Sequence, residues 1–254
     1  MARSRAPRVL KLLAHDLRWG IVKALAQSDL RVRELSAAVR APLNLTSYHL
    51  RQLHTAKVVN GRRSAADGRN IYYSLAFETL RASYHAAGDA LHASLPTSNG
   101  ASDGESTRPL RKPVTVLFLC THNSARSQMA EAMLRHFGGS RVEAFSAGSE
   151  PRPVHPMALR VLANLRIDAG AQRSKHLSEL EGRKFDYIAT VCDRVREICP
   201  TFPGDPHLTH WSIPDPVAVT GSEPTQLRAF EDVAQQLLSR IRYLLIMIER
   251  GERS

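Results

Sequence analysis

The chain has 254 residues, 43% of them hydrophobic, and a formal net charge of +11, which is the composition of a globular protein with an ample core. No run approaches the ~18 consecutive apolar residues of a membrane-spanning helix, and the N-terminus MARSRAPRVLKLLAHDLRW lacks a long apolar stretch and a small-residue cleavage site, so a cytoplasmic location with no membrane partner is expected. The charge is uneven, with 15 Lys and Arg against 6 Asp and Glu in residues 1–95 but 17 against 16 in residues 113–254, which points to a polyanionic partner for the N-terminal third, most simply nucleic acid.

Helical periodicity dominates the first third. VLKLLAHDLRWGIVKALA, VRELSAAVR and LNLTSYHLRQLHTAKVV each repeat apolar residues at three and four. VNGRRSAADGRNIYYSL follows, and Asp67-Gly68 between its two strand-like arms predicts a tight hairpin. FETLRASYHAAGDALHASL closes the segment as an amphipathic helix. The pattern predicts one mostly helical domain with a two-stranded wing over residues 1–95. Residues 96–112, rich in Ser, Gly, Pro and Asp, then read as a flexible linker.

Strands and helices alternate from 113 to 254. VTVLFLC, VEAFSAG, FDYIATVC and LTHWSI are short apolar runs separated by helical patterns, and EPTQLRAFEDVAQQLLSRIRYLLIMIER is a long terminal helix. That order predicts an α/β domain with a parallel sheet. The chain is therefore expected to join a mostly α winged helix-turn-helix domain to an α/β domain.

The stretch CTHNSARS, Cys120 to Ser127, directly follows the strand VTVLFL. In a parallel sheet, ligands bind beyond the carboxyl ends of the strands, and a tight strand-to-helix loop aims its backbone amides at one point. Cys120 would sit at the bottom of such an oxyanion cup, where the helix terminus and nearby donors are expected to lower its pKa. Thr121, His122, Asn123, Ser124 and Ala125 would form the loop. Arg126 would take two oxygens of a tetrahedral anion through its planar fork, and Ser127 would donate to the sulfur. The chain has three cysteines, Cys120, Cys192 and Cys199, too few and of the wrong parity for a structural disulfide framework.

CTHNSARSQMAEA, with the cysteines of VCDRVREICP, closely resembles the thioredoxin-coupled arsenate reductases, which share the fold of low-molecular-weight protein tyrosine phosphatases. The resemblance covers Pro113 to about Glu249. It implies that Cys120 attacks arsenate, that Cys192 attacks the resulting adduct to release arsenite, and that Cys199 takes over the disulfide and presents it to thioredoxin or a similar small redoxin. It also implies that Asp215, in HWSIPDPVA, is the general acid, with Asp205-Pro206 a turn before the strand. Some members bind potassium near the loop. Asn123, Glu131 and Ser146 match part of that site, but Lys175 falls where an acidic ligand is needed, so neither a metal nor another cofactor is expected.

The N-terminal third resembles the ArsR family of winged-helix repressors over about Val9 to Leu95, on the strength of LNLTSYHLRQLHTAKVV and the DGRNIYYSL wing. The resemblance implies a homodimer on a double-stranded DNA operator. Ser47, Tyr48, His49, Arg51 and Gln52 would lie on the recognition helix, and Arg62, Arg63 and Arg69 on the wing. The Cys-x-Cys metal sensor of that family is replaced by Arg31 and Arg33; His85, Asp89 and His92 fall at helical spacing and could form half of a metal site in a dimer, but a solvated or dimer-packing face is the expected reading. Together these readings imply an arsenate reductase fused to an arsenic-operon repressor. The competing readings are a pure regulator whose second domain senses an oxyanion or redox state, and a tyrosine phosphatase.

Overall fold

The computed structural model describes residues 7–89, 112–198 and 202–250, and the chain divides into two compact units. The expected linker, apart from Lys112, lies outside the described residues.

In the N-terminal unit, the first periodic stretch forms two helices, α1 (Arg8–Leu13) and α2 (Asp16–Gln27). The break falls at His15, whose imidazole Nδ1 accepts the Leu17 N–H at 3.2 Å and so starts the second helix. A two-residue strand β1 (Leu30–Arg31) leads into α3 (Val32–Ala38). Glu34 accepts the Arg31 N–H at 2.7 Å and pairs with its guanidinium at 3.0 Å, so Arg31 serves the start of α3, and Arg33 is an exposed residue of that helix. After a turn, α4 (Leu43–Thr55) follows, then the wing strands β2 (Val59–Arg63) and β3 (Ile71–Leu75) and the helix α5 (Phe77–Asp89). The sheet order is β1-β3-β2, all antiparallel. Ile21, Leu25, Leu35, Leu50, Leu53 and Val59 form the core that holds these elements together.

The wing differs from the expected tight hairpin. Its last strand pair is Arg63 opposite Ile71, and residues 64–70 form a wider loop closed by the Ser64 N–H on the Asn70 carbonyl at 2.8 Å. Gly68 is not among the residues with positive φ, so Asp67-Gly68 does not make the two-residue turn.

The C-terminal unit is built on a four-stranded parallel sheet of order β5-β4-β6-β7, from β4 (Val114–Cys120), β5 (Val142–Gly148), β6 (Tyr187–Thr190) and β7 (His207–His210). The central strand β4 is fully buried from Val116 to Cys120, which accounts for its unbroken apolar run. The helix α6 (Arg126–Gly138) packs on β4 and β5 and meets α7 (Pro156–Asn164) and the long α9 (Glu223–Arg250). A short helix α8 (Asp193–Ile198) follows β6. Among the described residues no helix is long and apolar enough to cross a membrane. The strand order puts β4 and β6 side by side, and so brings the two cysteines at their carboxyl ends to the same edge of the sheet.

Candidate active site

The loop from Thr121 to Ala125 joins β4 to α6, and its shape is imposed from outside. The Thr121, His122 and Ser124 carbonyls accept the N–H groups of Glu150, Arg152 and His155 at 2.9, 2.9 and 2.8 Å. The Asn123 carbonyl accepts the Ser174 hydroxyl at 2.6 Å and the Gln128 amide at 3.1 Å. With its carbonyls engaged there, the loop offers its amide side to the sulfur, and the Asn123 N–H donates to Cys120 Sγ at 3.1 Å. Asn123 has φ +44°, the left-handed conformation that a short polar side chain tolerates. The end of β5 approaches so closely that only glycine fits, since a β-carbon on Gly148 would stand 2.6 Å from the Thr121 carbonyl oxygen and 2.8 Å from the Asn123 nitrogen.

A directed chain of hydrogen bonds ends at Cys120. Asn123 Nδ2 donates to Ser146 Oγ and to Ser127 Oγ, both at 2.8 Å. Ser127 Oγ thus accepts from Asn123 and has its own proton to give to Cys120 Sγ, 2.9 Å away. Behind this, the Ser146 hydroxyl donates to Glu131, and Lys175 Nζ lies 3.2 Å from Glu131 Oε2. Glu131 is 4% exposed and Lys175 11% at the side chain. The residues therefore do not fit a bound potassium ion: an ammonium reaches the carboxylate that such an ion would need.

Burial reverses the expected direction of the Cys120 pKa. The thiol is raised above the ordinary cysteine value, first by desolvation and then by the neighbouring Cys192, while Arg126 and Ser127 act in the opposite sense. The thiolate fraction therefore grows as pH rises through the alkaline range. Alkylation of Cys120 by iodoacetamide is expected to follow a single titration with its inflection above about 8.5, the usual cysteine value; an inflection below that value would show that the loop donors outweigh burial.

Arg126 is the first residue of α6. Its Nη1 donates to the Ile213 carbonyl at 3.1 Å, and its Nη2 lies 3.2 Å from Asp215 Oδ2. The Asp215 carboxylate also accepts the Val217 N–H at 3.2 Å, which sets its orientation. Cys120, His122, Arg126, Arg152, His155 and Asp215 all line one cavity of about 220 Å³. His122 is held at its rim by the Glu150 carbonyl, 3.1 Å from Nδ1. Asp205 lies outside this group, in the segment before β7.

Cys192 follows β6, is 3% exposed, and has its sulfur 3.4 Å from Thr121 Oγ1. Cys120 and Cys192 are both free thiols. Cys199 lies outside the described residues. Sequence reading missed what fixes the start of α8: Asp193 Oδ1 accepts the Ser212 hydroxyl at 2.8 Å and lies 3.2 Å from His210 Nε2, all three being buried. It also missed Arg152 and His155, whose place in the cavity follows from their backbone bonds to the loop and has no local sequence signal.

The nucleic-acid candidates on the N-terminal unit separate into two groups. Tyr48 is 55% exposed, Arg51, Arg63 and Arg69 are exposed, and Ser47 and Arg62 are half-buried. A cavity of about 390 Å³ between α4 and the wing is lined by Ser47, Arg51, His54, Arg63 and Tyr73, which adds His54, one turn beyond Arg51, to the expected set. His49 behaves differently: it is 6% exposed, its ring centroid lies 4.3 Å from that of His15, and burial lowers its pKa, with His15 and Arg18 adding to the shift. Gln52 accepts Arg18 Nη1 at 2.9 Å. These two residues brace α4 against α2 in this conformation, because side chains on the inner face of a helix pack rather than reach a groove. The trio His85, Asp89 and His92 falls partly outside the described residues: α5 is described to the Asp89 backbone, and His92 lies beyond it.

Comparison with known proteins agrees with this geometry. Residues 115–254 match the low molecular weight phosphotyrosine protein phosphatase family, and residues 15–60 match the bacterial regulatory proteins of the arsR family. The arsenate reductase of Halalkalibacterium halodurans is 32% identical over 127 residues, 50% of this chain and 91% of that protein. The arsenate reductase of Bacillus cereus strain Q1 is 36% identical over 114 residues, 45% of this chain and 85% of that protein. A solved thioredoxin-dependent arsenate reductase from Corynebacterium glutamicum aligns with 91% of this chain and 98% of its own at 24% identity, with a TM-score of 0.46. A thiol cup at the end of the central strand, matched over more than half of the chain, places this protein in the low molecular weight phosphotyrosine protein phosphatase family and, within it, among the arsenate reductases, with an arsR-type helix-turn-helix unit ahead of the enzyme fold.

Proposed function

We propose that the C-terminal unit reduces arsenate to arsenite by a three-cysteine relay and that the N-terminal unit represses an arsenic-resistance operon. The observation that carries the relay is the placement of a second free thiol, Cys192, at the end of the strand next to that of Cys120, with Thr121 Oγ1 3.4 Å from its sulfur.

The steps balance as follows. The Cys120 thiolate attacks arsenic(V) held by the loop amides and Arg126, and one arsenate oxygen leaves as water after taking a proton that Asp215 picks up from solvent when the anion replaces it on Arg126. The Cys192 thiolate attacks the Cys120 sulfur, where the Thr121 hydroxyl is placed to stabilise the attacking anion. The sulfur–arsenic bond breaks with its electron pair going to arsenic, so arsenite leaves as arsenic(III) and a Cys120–Cys192 disulfide remains. Cys199 then attacks Cys192 and frees Cys120. The Cys192–Cys199 disulfide takes two electrons from thioredoxin or a similar dithiol redoxin. The buried position of Cys120 and Cys192 supports this division of labour, because a bulky protein reductant cannot reach either sulfur directly. Arsenite formation by the purified chain with arsenate, thioredoxin and thioredoxin reductase tests the reading; hydrolysis of an aryl phosphate with no arsenite formed would replace it with a phosphatase.

For the N-terminal unit, the exposed Tyr48, Arg51, Arg63 and Arg69 support a DNA-facing surface with α4 in the major groove and the wing on the backbone, and the arsR-type likeness supports its acting as a homodimer. In a gel shift with DNA from upstream of its own gene, Arg63→Ala is expected to weaken binding and to lower the slope of log affinity against log salt by about one, as loss of one phosphate contact requires. An unchanged slope would remove Arg63 from the interface. Adding arsenate and reductant to the same assay separates a repressor with an appended enzyme from a sensor.

A further inference from the structure

The cavity over Cys120 contains a second guanidinium besides that of Arg126. Arg152 lines it, and the backbone of this residue is held on both sides: its N–H donates to the His122 carbonyl at 2.9 Å, and its carbonyl shares the one Ser174 hydroxyl proton with the Asn123 carbonyl. Its side chain is exposed and makes no hydrogen bond or ion pair among the described residues. Arg126 is the opposite case, 9% exposed and engaged by the Ile213 carbonyl and Asp215. One arginine is therefore built into the cup, while the other is tied to the loop by its backbone and keeps its charged fork uncommitted.

The rest of the outer wall narrows what this fork is for. His155 accepts the Met157 N–H on Nδ1 at 3.2 Å and stacks on Phe230 with ring centroids 4.8 Å apart, which fixes the imidazole and makes Nε2 its remaining polar atom. His122, Ser124, Pro153 and Val217 complete the mouth, and among the described residues no Phe, Tyr or Trp lines it. An aryl phosphate needs a flat apolar wall for its ring. A free tetrahedral dianion instead keeps its outer oxygens charged and gains from a cation on that side.

We propose that Arg152 is a specificity residue that takes the outer oxygens of a free dianionic oxyanion, so that the site prefers inorganic arsenate and phosphate to phosphate esters on tyrosine. The inference rests on the arsenate-reducing reading of the same site. Because Arg152 acts on capture of the anion, its loss should change KM rather than kcat, and because it is solvated the effect is moderate.

The test compares the full chain with Arg152→Gln and Arg152→Lys in three assays: steady-state arsenate reduction, calorimetric binding of inorganic phosphate, and hydrolysis of an aryl phosphate. Arg152→Gln is expected to raise the arsenate KM and the phosphate Kd about tenfold, to leave kcat within about twofold and to move the aryl phosphate KM by less than about twofold, with Arg152→Lys recovering most of the loss. The proposal is overturned if KM and Kd stay within about twofold of the unsubstituted chain, or if kcat falls while KM holds. Should the unsubstituted chain bind phosphate without reducing arsenate, the reduction reading fails on its own and the phosphate Kd of Arg152→Gln still decides the role of Arg152. Binding of neither anion overturns both.

Discussion

Replacing Cys192 with serine is expected to stop arsenite formation, lowering turnover by at least about 10³-fold, the scale on which loss of a catalytic nucleophile acts. A hydroxyl at this position cannot take the Cys120 sulfur away from arsenic, so the two electrons that arsenic must gain have no source. The reasoning can be checked independently of turnover. Cys192 is one of the two influences that raise the Cys120 thiol, so Cys192→Ser should move the alkylation inflection of Cys120 toward lower pH. A variant that loses turnover with no change in that titration would imply that the two thiols are not neighbours. Arsenite formation at an unimpaired rate would remove Cys192 from the pathway.

Replacing Arg126 with alanine should cost nearly as much. The side chain is 9% exposed and lies between the Ile213 carbonyl and Asp215, so its charge acts in a partly water-excluded cavity. Loss of one preorganised donor to a developing oxyanion costs about 3–4 kcal/mol, or about 10²–10³-fold in rate. The change also leaves Asp215 without its ion-pair partner. Arg126→Lys should restore little, because an ammonium cannot span two oxygens at once. The check is kcat/KM for arsenate in both variants; a lysine variant within about threefold of the unsubstituted chain would mean that charge alone, without the fork, is what the site uses.

The sequence conveyed the site's components better than their surroundings. The buried strand, the small-residue loop and the helix beginning at Arg126 are local, so their order along the chain is enough to infer the cup. The alternation that predicts a parallel sheet also puts the strand ending at Thr190 beside the strand of Cys120. What was illegible depends on contacts across long separations. The donors that turn the loop carbonyls outward come from Glu150, Arg152, His155 and Ser174, and the Asn123 side chain is set by Ser127, Ser146 and Lys175. The pKa of Cys120 was misjudged for the same reason: donors in the loop are visible in the motif, whereas complete burial under a second thiol is not.

The N-terminal unit shows a related effect. Helical periodicity locates α4, but His49 and Gln52 face the α2 side because Arg18 and His15 meet them there, 31 to 34 residues earlier in the chain. Asp67-Gly68 promised a two-residue turn, yet the strands part at Arg63 and Ile71 and the wider loop absorbs the dipeptide. Turn signals of this type specify a hairpin only when the flanking residues pair right up to them.

The most direct measurement is peptide mapping by mass spectrometry of the Cys199→Ser variant after one equivalent of arsenate. With the last thiol of the relay removed, the account requires a Cys120–Cys192 disulfide formed in step with one equivalent of arsenite. Arsenite released while both of those cysteines remain free thiols would contradict it.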